Sequence, residues 1–371
     1  VTSALLVINA GSSSVKFSVY AREGLTELAE GQVERIGIEP RFHAATHDGF
    51  EEQQELPPTT RQHEAFAVMR QWLEQSALDC RIEAVAHRVV HGGTRFRQPV
   101  RVTPEIHAEL AALAPLAPLH QPHNMSLLAA AAEQMPGVPQ IACFDTAFHA
   151  GHAPLVHEFA IPQAWTKRGV RRYGFHGISY EWIAERLRED HPKLHAGRVV
   201  VAHLGNGSSL CALKGGRSVD TTMGMTALDG LPMGTRSGAI DAGALLYLLE
   251  EHDLSAAEIG RLLYHESGLL GLSGVSPDMR CLLASKEQRA DFAIDYYTLK
   301  VAQYTMHMAV SMGGLDALVF TAGIGTHATE VRRRVCQRLA PLSRFTALVI
   351  PTDEGRMMAT HALRLLEEDS P

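Results

Sequence analysis

The chain has no cysteines at metal-ligating or redox spacing. Its five, Cys80, Cys143, Cys211, Cys281 and Cys336, are scattered, odd in number and without any C-x-x-C. This argues against a disulfide framework or a zinc site, and they read as buried thiols in a reducing compartment. A long apolar run near the start is also missing. Residues 5–8 are far too few for a membrane span or a signal peptide, and no basic segment precedes them. The expectation is a cytoplasmic protein. Excess positive charge is absent too: the formal net charge is −7, which gives no global attraction to nucleic acid or to an anionic membrane. Nor is the composition that of a disordered chain, with 46% hydrophobic and 20% charged residues. A length of 371 residues allows two domains, each with its own core.

What the chain does contain is one device written twice. Leu5-Leu-Val-Ile-Asn9-Ala-Gly-Ser-Ser-Ser-Val-Lys16-Phe-Ser-Val-Tyr20 stands in the first half, and Val199-Val-Val-Ala-His203-Leu-Gly-Asn-Gly-Ser-Ser-Leu-Cys-Ala-Leu213 in the second. Each is a short apolar run, a turn of Gly, Asn and Ser, and a resumed apolar alternation, the pattern of a β-hairpin. Glycine lets backbone amides approach an anion, and successive amides form a concavity for phosphate oxygens. One Gly/Ser turn is common in plain hairpins; two on matching strands point to a duplicated nucleotide-binding architecture.

Between and beyond the hairpins the pattern alternates. Residues 26–36 read as a further strand, and residues 43–62, with Pro57-Pro58, as loop or weak edge strand. Ala65, Val68, Met69, Trp72 and Leu73 fall at helical spacing. Ala84-Val-Ala-His-Arg88-Val-Val-His91 is a strand running into a glycine turn, and ligands gather at such strand ends in open α/β sheets. Residues 104–134 read as helix broken by Pro115, Pro118 and Pro122, with Asn124 as a cap. Residues 141–144 form a buried strand ending at Asp145, and residues 149–154 suggest a domain boundary. Ser179 is expected to cap a helix over 180–188, and residues 220–238 to form a long structured loop. Further helices are expected over 242–251, 255–266 and 288–312. A strand and glycine turn at 317–326 then lead into a helix whose N-terminus suits a nucleotide.

The strings Asn9-Ala-Gly-Ser-Ser-Ser-Val-Lys16, His87-Arg-Val-Val-His-Gly-Gly93, Tyr173-Gly-Phe-His-Gly177, His203-Leu-Gly-Asn-Gly207, Met233-Gly-Thr-Arg-Ser237 and Phe320-Thr-Ala-Gly-Ile-Gly325 closely resemble the acetate/propionate kinase family. That family lies within the sugar-kinase, Hsp70 and actin superfamily. The resemblance runs in order from residue 5 to the last helix. It implies an α/β fold of two duplicated ribonuclease-H-like βββαβαβα domains with an interdomain active-site cleft, usually dimeric. The domains implied are residues 1–149, completed by the helix at about 355–371, and residues 150–354, which carry most nucleotide contacts. The implied reaction is reversible transfer of the ATP γ-phosphoryl group, with Mg²⁺ or Mn²⁺, to a short carboxylate. The partners are the acid, ATP/ADP and a second copy of the chain, with no nucleic acid and no membrane.

The resemblance also implies roles. Arg88 matches the substrate-carboxylate arginine, with Val90, Leu119 and Phe175 as the apolar pocket wall. Arg236 and His176 match residues that stabilise the transferring phosphoryl group. Asn9 and Glu354 match the Mg²⁺ side, where oxygen donors suit the ion. Lys16, His203, Leu204, Gly205, Asn206, Gly207, Asp278, Met279, Arg280, Gly323, Ile324, Gly325, Thr326 and His327 match the ATP-contacting segments. Asp145 holds a catalytic position, and since a carboxylate substrate is already ionised, it is read as an orienting partner for Arg236 or for the metal's water. Most of the 20 histidines are expected to be structural.

Three departures from the family pattern stand out. Thr326 replaces the usual Glu, Ala227 replaces the usual Pro near the acyl pocket, and the connection at 342–343 is distinctly short. The last reads as a deletion or as an omitted loop, and continuity of the strand after Arg344 favours the omitted loop. Acetate kinase activity is the leading reading. The alternatives are a propionate or other short-acid kinase, and a nucleotide-binding protein impaired in turnover. The retained Asn9, Arg88, His176, Arg236 and Glu354 favour turnover.

Overall fold

The computed structural model describes residues 1–11, 13–76, 78–118 and 120–368; Leu119, one of the expected pocket residues, lies outside them. The chain forms two compact units, Val1–Ala147 with the segment from Asp353 onward, and Phe148–Thr352.

The first unit is built on strands β1 (Thr2–Ala10), β2 (Val15–Ala21), β3 (Glu27–Glu34), β4 (Arg41–Thr46), β5 (Glu51–Glu55), β6 (Cys80–Val89), β7 (Val100–Arg101) and β8 (Gln140–Phe144). Their order in the sheet is β5-β4-β3-β2-β1-β6-β8-β7. β1 pairs antiparallel with β2 and parallel with β6, and β6 pairs parallel with β8. β1 is buried on both faces, so it reads as a continuous apolar run and not as an alternation. Ala4, Leu6 and Ile8 pack with Phe17, Phe66, Met69 and Trp72 in the core. The helix Gln62–Gln75 supplies Phe66, Met69 and Trp72 from the face its spacing implies.

Of two local expectations, one holds and one fails. Residues 43–62, read as loop or weak edge strand, do supply the edge: the β4–β5 hairpin extends the sheet by antiparallel pairing. β5 is Glu-Glu-Gln-Gln-Glu, an exposed edge whose charges discourage further pairing, and such a strand has no apolar period to read. Asn124 caps nothing. The helix Gln121–Gln134 starts before it, and the Asn124 side chain is buried, accepting from Val90 N at 3.1 Å and donating to Ala10 O at 3.1 Å. It ties the end of β1 to the end of β6.

The second unit repeats the plan with β9 (Arg198–Leu204), β10 (Ser208–Lys214), β11 (Arg217–Thr221), β12 (Ala317–Thr321) and β13 (Thr346–Val349), in the order β11-β10-β9-β12-β13. As in the first unit, three antiparallel strands are followed by strands added in parallel on the far side of the first. The helices Gln288–Met312 and Thr329–Leu339 cover one face, with Tyr297, Val301, Val331 and Val335 against Val200, Ala202, Leu318 and Phe320. The helix Gly177–Asp190 covers the other face, with Tyr180, Ile183 and Leu187 against Val199, Val201 and Val319. Its N-cap is His176 and not Ser179, which lies fully buried inside the first turn. Residues 340–345 lead straight from the helix Thr329–Leu339 into β13, which pairs with β12 in register. None of the five cysteines is in a disulfide, but Cys281 is exposed, against the expectation that all are buried. Among the described residues no helix is long and apolar enough to cross a membrane.

Candidate active site

In the first unit, parallel pairing brings the carboxyl ends of β1, β6 and β8 side by side, and each end carries a polar residue: Asn9, Arg88 and Asp145. Arg88 donates from Nε to Asp145 Oδ1 at 2.9 Å and from Nη2 to Asp145 Oδ2 at 2.6 Å, a bidentate pair. Its Nη1 donates to Asn9 Oδ1 at 3.3 Å and lies 3.7 Å from Glu354 Oε2. The sequence reading paired Asp145 with Arg236 or with metal-bound water; in the structure both its oxygens accept from Arg88, a partner that reading did not name.

Glu354 begins the helix Glu354–Glu368. Burial pushes its carboxyl pKa up, against the pull of Arg88, and the neighbouring Asp145 adds to the rise. Burial opposes the Arg88 charge as well, but Asp145 and Glu354 outweigh it and hold the guanidinium firmly protonated. Val90 is buried beside this group, its N–H held by Asn124. His87 is structural: it is buried against Gln140 Oε1 at 2.7 Å, and burial drives its pKa down to about 4.

In the second unit, the turn between β9 and β10 holds Gly205, Asn206 and Gly207. Together with Pro277, Asp278, Met279, Arg280, Leu283, Gly323, Ile324, His327 and Ala328, the first two of these line a cavity of about 680 Å³. Asp278 caps the helix Met279–Ala284 through Arg280 N and pairs with the Arg280 side chain at 2.5 Å, and that pairing lowers its carboxyl pKa. Of the expected nucleotide residues, Leu204 is in the apolar core, and Gly325 is buried with its carbonyl accepting from Arg332 at 2.9 Å. They back the cavity and do not line it. Thr326 likewise offers its carbonyl to Arg332, at 2.7 Å. Pro277, Leu283 and Ala328 had no signal in the sequence beyond their neighbours.

His176 and His203 stack at 4.1 Å between ring centroids, 19° from parallel. His176 sits in the left-handed region at φ 58°, a conformation a non-glycine residue holds only when its surroundings impose it. Phe175 is buried, and its carbonyl accepts from His149 at 3.0 Å. Arg236 lies in the long loop, where Met233 N donates to the Arg236 carbonyl at 3.0 Å and Leu269 N to the Met233 carbonyl at 2.8 Å. Its Nη1 donates to the carbonyl of Ala227 at 3.2 Å. The residue that departs from the family pattern therefore contacts the expected catalytic arginine through its backbone.

These two constellations suit phosphate and carboxylate chemistry: fixed guanidinium groups, oxygen donors, a glycine turn and paired imidazoles. The acetokinase family model matches residues 4–343. The acetate kinase of Rhodopseudomonas palustris is 49% identical over 393 residues, covering 98% of each chain. The crystal structure of Porphyromonas gingivalis acetate kinase superposes with a TM-score of 0.88 at 35% identity, covering 98% of this chain and 100% of that one. A propionate kinase from Francisella tularensis superposes with a TM-score of 0.89 at 34% identity, covering 97% and 98%. On sequence, on fold and on the order of its motifs, the chain belongs to the acetokinase family.

Proposed function

We infer that this chain transfers the γ-phosphoryl group of ATP to acetate, reversibly, giving acetyl phosphate and ADP. The observation that carries the reading is family membership over nearly the whole chain, with Arg88 held ready at the end of β6 by a buried carboxylate. Acetate is ionised near neutral pH, so the reaction needs no base, only in-line placement and compensation of charge.

In this reading Asp145 fixes the plane of Arg88 so that the guanidinium meets the acid or its phosphate in one orientation. Arg236, His176 and His203 stabilise the transferring group, and the cavity bounded by Gly205, Asp278–Arg280 and Gly323 takes the nucleotide. Val90, two residues after Arg88 in the first unit, is the apolar side chain offered to the methyl group.

Mg²⁺ fits the first unit. No group of three or more His, Cys, Asp or Glu able to hold a metal occurs among the described residues, but Mg²⁺ with ATP needs only one or two protein oxygens beside phosphates and water. Asn9 Oδ1 and the half-buried Glu354 carboxylate converge on Arg88 and supply such a pair. When bound, the ion compensates charge on the phosphate oxygens.

A homodimer is supported by the helix Ala242–Glu251, a strongly apolar segment with no buried residue, which exposes Leu246 by 56% and Tyr247 by 57%.

A hydroxamate assay for acyl phosphate with acetate, propionate and butyrate tests the reaction and its acid. Acetate should give the highest kcat/KM, with propionate lower by roughly ten- to a hundredfold, as one methylene in an apolar pocket allows. Preference for propionate would reassign the substrate, and no product from any acid would refute turnover.

A further inference from the structure

Each of the two stacked imidazoles turns its Nδ1 onto a serine. His203 Nδ1 is 2.8 Å from Ser179 Oγ, and Thr352 Oγ1 donates to that same oxygen at 2.8 Å. His176 Nδ1 is 2.8 Å from Ser209 Oγ, which lies 2.5 Å from the Tyr180 hydroxyl. Ser179, Ser209 and Tyr180 are all fully buried, so their protons must go to protein acceptors.

That closure sets the direction of both chains. Thr352 already donates into Ser179, so the Ser179 proton goes to His203 Nδ1. The Tyr180 phenol donates to Ser209, so the Ser209 proton goes to His176 Nδ1. A ring whose Nδ1 accepts is neutral and carries its proton on Nε2. Both Nε2 atoms face the glycine turn between β9 and β10: a Cβ at Gly207 would lie 3.3 Å from that of His176, and one at Gly205 4.0 Å from that of His203. Close stacking agrees, because two charged rings at that separation would repel.

We propose that Thr352–Ser179 and Tyr180–Ser209 are positioning pairs that lock His203 and His176 as Nε2–H tautomers, so that both rings offer uncharged hydrogen-bond donors to phosphoryl oxygens at the glycine turn. This rests on the reading of that turn as a phosphate site. No proton is transferred: the rings bind and orient. Thr352 is also the last residue of the second unit, two positions before Glu354, so one short segment carries both the fixing hydroxyl and a proposed metal-side carboxylate.

Nitrogen-15 NMR of the full-length, histidine-labelled protein tests the assignment, with the two rings identified by His176→Gln and His203→Gln. In the wild type both should show a protonated Nε2 and an unprotonated Nδ1. Thr352→Val removes the hydroxyl at similar volume. It should move His203 to mixed tautomers and lower kcat by roughly tenfold, with acetate KM unchanged. Thr352→Ser should restore both readouts, and Tyr180→Phe should disturb His176 but not His203. A wild-type His203 protonated on Nδ1, or a Thr352→Val spectrum like that of the wild type, overturns the proposal. Wild-type kinetics in His203→Gln would overturn the phosphate-site reading instead, while the tautomer assignment would stand or fall on the spectra alone.

Discussion

Arg88 is a charge surrounded by acceptors: two oxygens of Asp145, the amide oxygen of Asn9 and, slightly farther, Glu354. Removing the Asp145 charge should therefore act through Arg88. Asp145→Asn is expected to destabilise the protein by about 2–4 kcal/mol, because a largely buried guanidinium loses its bidentate partner. It should also raise the acetate KM as well as lower kcat. If KM stayed at the wild-type value, Asp145 would be acting on the transferring group and not through Arg88. Glu354 makes the opposite bargain. Its folded pKa is raised, so the folded state binds the proton more tightly than the unfolded chain, and stability falls as pH rises above the ordinary carboxyl range. Glu354→Gln should accordingly raise the melting temperature of the ligand-free protein at neutral pH while raising the Mg²⁺ requirement and depressing kcat. A lower melting temperature in thermal scans would show that pairing with Arg88 outweighs the burial of Glu354.

Strand ends are held in place by buried polar clips. Asn124 satisfies Val90 N and Ala10 O at once, so Asn124→Ala would leave two buried backbone groups without partners. A loss of about 2–4 kcal/mol in urea unfolding is expected, with activity falling in parallel as β1 and β6 lose alignment. A loss below about 1 kcal/mol would mean water replaces the amide. The neighbouring His87 tests burial by pH. Its folded pKa of about 4 lies below the ordinary 6.5, so the unfolded chain binds the extra proton between those values. Stability should fall on acidification from about pH 6.5 to 4, by up to about 3 kcal/mol from this group. His87→Gln, which keeps a polar partner for Gln140, should flatten that part of the stability–pH curve. An unchanged slope would assign the acid sensitivity to other histidines, such as His152, which burial takes to about 3.

Assembly is expected to rest on the helix Ala242–Glu251, an apolar helix none of whose residues is fully buried. Leu246→Arg should shift the protein from dimer to monomer in analytical ultracentrifugation, with secondary structure intact by circular dichroism. A dimer of unchanged affinity would move the interface elsewhere, for example to the segment exposing Leu155 and Trp165. The two units follow one plan, three antiparallel strands and then parallel additions, yet they differ in dress. The first gains the β4–β5 hairpin, and the second gains the long loop that holds Arg236 and the direct passage through residues 340–345 into β13.

Local order was legible before any coordinates. The helices Gln62–Gln75 and Gln288–Met312 are where apolar spacing places them, because a helix that must bury one face writes its period into the chain. The two glycine hairpins announce themselves in the same way, since their turns tolerate few residue types. The duplicated motifs carry the family with them, and the roles expected of Arg88, Glu354, His176 and Arg236 rest on that resemblance. Partnerships were not legible. Asp145 meets Arg88 across 57 positions, Asn124 reaches Ala10 across 114, and Ser179 meets Thr352 across 173. Asn124 and Ser179 both look like caps, because that is the commonest local use of a small polar side chain near a helix start. Whether such a side chain caps its own helix or crosses to a strand depends on which groups the packed sheet leaves buried and unpaired. Parallel crossovers decide that, by bringing distant strand ends within hydrogen-bond reach, and no local pattern records it.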